Sequence, residues 1–165
     1  MDPFQSTLFI AYAKCVVVLG LKMTLTAWTT VYHMIASGGN GIRNPEDLLQ
    51  GPCNPHPHPD QLQPYEPAEK QRRIMGHDVE NNVPFFAVGL VYALMNSNGG
   101  GGAGGDADGG DGGDPATILY AYTASKIVHH AVYWAGLRHE VRAAGWTVTN
   151  GCFLYLSYLT WKGLG

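Results

Sequence analysis

Charge is scarce in this chain: only 14% of its 165 residues are Asp, Glu, Lys or Arg, and the formal net charge is −3. Bulk electrostatics therefore give no case for a nucleic-acid partner. Cysteine is scarcer still. Cys15, Cys53 and Cys152 form no Cys-x-x-Cys pair and no metal-ligand spacing. Cys15 and Cys152 lie in apolar blocks and read as reduced, buried thiols, whereas Cys53 lies in a proline-rich loop and is expected to be exposed. The opening MDPFQSTLF has neither a basic n-region nor a small-residue cleavage site, so the first apolar block is expected to stay in the mature protein as an anchor.

What is present is apolar blocks separated by two unusual loops, and the near-zero mean hydropathy averages over both. Residues 8–36 are long enough to span a hydrocarbon core, which takes about 20 residues. Lys14 and Lys22 interrupt them and project within about a quarter-turn of each other, which favours a bundle over an isolated anchor. Gly38 and Gly39 end that helix, and the prolines of residues 37–67 forbid another long one. Asn44-Pro45-Glu46-Asp47 reads as a turn or a short helix start. His56 and His58 alternate with prolines on an extended strand without a third ligand, so no metal is expected there. Residues 96–114, rich in Gly and Asp, read as a flexible connector. Their four aspartates and lack of lysine argue against phosphate binding.

Residues 69–95 organise the rest. Arg73, His77 and Glu80 recur at i, i+4 and i+7, so one helical face offers a cation, an imidazole and a carboxylate. A polar stripe inside a membrane-length helix is expensive and marks a site. Lys70, Arg72 and Asp78 are expected to be solvated charges at the membrane surface. Pro84 is expected to kink this helix. The third helix, 116–139, carries Lys126, His129, His130 and Tyr133 at i, i+3, i+4 and i+7, with Arg138 and Arg142 four apart at its end. His130 reads as a packing residue. The fourth span is 143–164, with Lys162 as an interface anchor. The basic residues fall in the 1–2 and 3–4 connections, so the positive-inside rule puts that side in the cytosol or the mitochondrial matrix. The fold expected is an all-α, integral membrane four-helix bundle forming one domain over residues 1–165.

These residues also carry a family likeness. Leu21-Lys22-Met23, Asn44-Pro45-Glu46-Asp47, the run from Glu69 through Asp78, Glu80 and Pro84-Phe85, Gly89 to Leu94, and Ile127 to Arg142 occur in the order and spacing of the MAPEG membrane proteins. The chain resembles that family, and within it the microsomal glutathione transferases and prostaglandin E synthases. The resemblance implies a homotrimer in the bilayer of the endoplasmic reticulum or a mitochondrion, with glutathione held between neighbouring subunits. It makes Arg73, His77, Glu80, Lys126, His129, Tyr133 and Arg138 the glutathione-binding set. Arg142 matches the arginine thought to hold the thiol as thiolate, and Asp47 matches an aspartate implicated near it.

Ionising a thiol at neutral pH requires lowering its pKa by one or two units, about 1.4 kcal/mol each. One guanidinium about 4 Å away at an effective dielectric of about 20 supplies about 4 kcal/mol, so a single arginine is enough. The activity implied is glutathione transfer to an apolar electrophile or reduction of a lipid hydroperoxide. Several positions depart from the family. His33 and Lys126 stand where arginines are usual, His77 replaces an asparagine, and Met75 replaces a histidine. Glu140 stands for a proline, and Ala143 and Trp146 for a serine and a tyrosine. A histidine cannot reproduce a bidentate arginine, and two or three losses of about 1.5–3 kcal/mol each would abolish useful binding. The competing reading is therefore a non-catalytic, MAPEG-derived subunit of a larger membrane complex.

Overall fold

The computed structural model describes residues 3–52, 54–97 and 114–164; Cys53 and the Gly/Asp-rich connector from 98 to 113 lie outside them. Among the described residues there are four α-helices and no strand: α1 Thr7–Ala36, α2 Glu66–Ser97, α3 Thr117–Trp134 and α4 His139–Leu164. This is an all-α chain consistent with a four-helix bundle. By length and composition α1 is the one described helix clearly suited to crossing a membrane. Four such spans were expected. The charged start of α2 and the polar faces of α2 and α3 dilute the apolar signal of those helices.

The chain divides into two compact units, Met1–Gly20 with Glu80–Gly165, and Leu21–Val79. In the first, Leu19, Phe85, Leu119, Tyr122 and Leu156 draw all four helices into one fully buried core. The Phe85 and Tyr122 rings stack with centroids 4.0 Å apart. The Tyr12 hydroxyl donates to the Phe86 carbonyl at 2.7 Å, fixing α1 against α2. α2 runs unbroken through Pro84. Proline deletes one backbone donor there, and the Tyr122 hydroxyl adds a bond to the Asn81 carbonyl (2.8 Å) in the same turn.

The third helix stops earlier than the sequence suggests. Gly136 adopts φ 69°, which only glycine takes at little cost. The Leu137 N–H then donates to the Val132 carbonyl and the Gly136 N–H to the Tyr133 carbonyl. This closes a Schellman motif. Arg138 consequently lies in the α3–α4 turn, not on α3, and Arg142 lies within the first turns of α4.

In the second unit, α1 ends the same way: Gly38 has φ 75°, with the Gly39 N–H bonded to the Met34 carbonyl. The following loop is organised around Gln61, a buried amide. Its Nε2 donates to the Gly38 carbonyl (2.6 Å) and to Asn54 Oδ1 (3.0 Å), and its Oε1 accepts from Asn54 Nδ2 and the His58 N–H. The His/Pro run thus serves as backbone for a folded loop, with His58 capping a short 3-10 turn at Pro59–Leu62.

Of the charges expected to be solvated at the membrane surface, Asp78 is buried and Arg72 is half-buried and bonded to protein groups. Arg72 donates to Glu69 and to the Gly41 carbonyl (2.7 Å) and reaches Met34 Sδ at 3.4 Å, tying α2 to the end of α1. Arg43 also binds Glu69, from the loop. Asp78 is 2% exposed, and Lys22 Nζ lies 2.6 and 2.7 Å from its two carboxylate oxygens. A carboxylate in that setting is retained because a cation meets it.

Candidate functional site

Helical spacing puts Arg73, His77 and Glu80 on one side of α2, as the sequence requires. Arg73 and Glu80 are exposed and His77 is half-buried. Arg73 pairs with Glu66, two turns earlier on the same side. The buried side of the helix is another one. Gln71, Ile74, Asp78, Asn82 and Phe85 are all at most 3% exposed and recur at spacings of three and four.

On α3, Lys126 and His129 are buried, at 1% and 6% exposure. His129 and Tyr133, one turn apart, meet ring edge to face with centroids 6.2 Å apart. The guanidinium carbon of Arg142 stands 4.8 Å from the centre of the Tyr133 ring. That is a cation–π distance. Packing of α4 on α3 makes this possible because Gly145 lies flat against the imidazole: a methyl group there would stand 3.3 Å from His129 Cδ2. His129, Tyr133 and Arg142 therefore form one cluster.

Arg142 has a further property. Its Nε is buried and has no hydrogen-bond partner among the described residues. A buried guanidinium N–H without an acceptor costs free energy, and an anion would satisfy it. A thiolate or carboxylate suits that position on charge and on donor geometry.

Two further expected residues are exposed. Arg138 is exposed in the α3–α4 turn, and its carbonyl accepts from the Arg142 N–H at 3.2 Å. Asp47 ends an exposed 3-10 turn at Pro45–Asp47 and accepts from Asn44 Nδ2 at 3.2 Å. Of the departures, His33 meets Tyr32 ring edge to face and is half-buried, as are Met75 and Ala143, while Trp146 is exposed.

Sequence reasoning passed over Gly145 and the Lys22–Asp78 pair. A glycine inside a helix, two positions from a conspicuous Thr-rich stretch, is one available signal for the first. For the second the signal is a cation in one apolar helix and a carboxylate in the next.

A search of the curated proteins finds no match. The family model described as MAPEG family matches residues 12–161, which takes in every candidate site residue.

Proposed function

Because the chain belongs to the MAPEG family, whose members are membrane proteins generally using glutathione, with glutathione-related or eicosanoid-related functions, we propose that it is a membrane glutathione transferase or peroxidase acting as a homotrimer. The observation that carries this reading is the buried Nε of Arg142, which has no hydrogen-bond partner among the described residues, in a cluster with Tyr133 and His129. It is a site prepared for negative charge.

Glutathione, when bound, supplies the thiol nucleophile. Arg142 holds the sulfur's negative charge, and the Tyr133 face keeps the guanidinium from swinging away. Arg73 and Lys126 answer the two carboxylates of the tripeptide, and Glu80 answers its ammonium. His77 and His129 add hydrogen bonds, and Arg138 extends the basic rim. The family resemblance adds Asp47 as a carboxylate implicated in the same chemistry. The exposure of Arg73 and Glu80 in the single chain suits a ligand held between neighbouring protomers. The second substrate, an apolar electrophile or lipid hydroperoxide, arrives through the bilayer. The basic loops face the cytosol or matrix.

Turnover by the reconstituted protein tests this, with an apolar aryl halide and a lipid hydroperoxide as second substrates. Arg142→Ala is expected to lower kcat by about 10²–10³, the usual loss of one preorganised charge-stabilising donor. Equal rates for parent and variant overturn the role of Arg142. No turnover by the parent, with the protein recovered in a multisubunit membrane complex, moves the reading to a non-catalytic subunit.

A further inference from the structure

The Lys22–Asp78 ion pair does something that burial alone does not. α2 carries apolar residues around much of its circumference: Ile74 is 3% exposed, but Val79 and Val83 are 47% and 56% exposed. The Phe85–Tyr122 stack and the Tyr12–Phe86 bond hold the later part of α2, but within the Leu21–Val79 unit apolar packing against α1 alone would accept more than one rotation of its first part. A rotation by one residue, about 100°, would exchange Asp78 for Val79 at the α1 contact. Only at the observed rotation does Lys22 Nζ meet both Asp78 oxygens, at 2.6 and 2.7 Å, with the two side chains 11% and 3% exposed.

That rotation decides where the polar stripe lies. Measured around the helix from Asp78, His77, Arg73 and Glu80 fall at about 260°, 220° and 200°, on the side away from the pair. We propose that Lys22 and Asp78 are positioning residues, fixing the rotation of α2 so that Arg73, His77 and Glu80 are presented to the ligand and not to α1. Neither touches the ligand. The proposal rests on reading that stripe as a glutathione surface. It also explains why an ion pair occupies a place where two apolar side chains would pack as well. A matched charge pair selects one arrangement among several of similar burial.

Removing both partners strands neither charge of this pair, so the double variant Lys22→Met/Asp78→Leu should fold. Full-length protein in lipid, made cysteine-free, is compared with and without that double change, carrying one reporter cysteine at Arg73 or at Ile74. With the pair intact, a soluble maleimide is expected to label position 73 and spare position 74. In the double variant the two rates are expected to converge, and glutathione affinity, measured without reporters, to fall at least about tenfold. An unchanged labelling ratio overturns the positioning role whatever happens to affinity. Should the parent show the labelling contrast and lose it in the double variant but bind no glutathione, rotation control stands. The glutathione reading then fails separately.

Discussion

Gly145 of α4 lies against His129 of α3 so closely that a methyl group would meet the imidazole Cδ2 at 3.3 Å and the His129 Cα at 3.6 Å. Gly145→Ala therefore sets two effects against each other. The helix gains about 1 kcal/mol from replacing glycine, and the crowding costs about as much. Thermal stability should change little. The imidazole must give way by a few tenths of an ångström, so KM for glutathione should rise several-fold with kcat less affected. Steady-state kinetics beside a melting curve separates the two.

Gly89→Ala should have the opposite balance. The new methyl group would meet the Tyr12 ring at 3.1 and 3.2 Å, and that ring is pinned by its hydroxyl bond to the Phe86 carbonyl. Overpacking of a pinned ring costs about 1–3 kcal/mol, more than the helix gains. The variant should melt lower in detergent, and adding Tyr12→Phe, which releases the ring, should recover part of the loss.

Single removal of either ion-pair partner should be far worse than removal of both. Lys22→Met takes the Lys22 ammonium away from the 2% exposed Asp78. The expected destabilisation is about 3–5 kcal/mol, against a change near zero for Lys22→Met/Asp78→Leu. Chemical denaturation of the three proteins measures the difference; equal losses for single and double variants would refute the pairing argument.

Gln61→Ala should loosen one loop and leave the helices standing. Its amide bonds Gly38, Asn54 and the His58 N–H. Losing these leaves buried backbone and amide groups unmet, at about 1–3 kcal/mol for each group stranded. Hydrogen exchange should quicken across residues 38–63 while α3 and α4 keep the parent's protection.

The helices were legible because long apolar blocks, Gly38-Gly39 and Pro115 mark them without ambiguity. The face shared by Arg73, His77 and Glu80 was equally plain, since helical spacing alone creates it. The end of α3 was not, because Gly136 stops the helix by its backbone conformation while the apolar pattern runs on through Leu137. Asp78 was misjudged as a surface charge, and the bonds of the half-buried Arg72 were missed, for a related reason. Their partners, Lys22 and Gly41, lie 56 and 31 residues away, and local spacing carries no information over such separations. Gln61 could not be found from a proline-rich loop whose fold depends on one buried amide.

The central claim is that Arg142 helps this chain keep glutathione ionised. Ultraviolet difference absorbance of thiolate, recorded on purified protein in detergent with glutathione at neutral pH, tests it most directly. The account predicts a saturable thiolate band in the parent, strongly reduced in Arg142→Ala protein that still folds and assembles. A parent that shows no thiolate band, or a band that Arg142→Ala leaves intact, contradicts it.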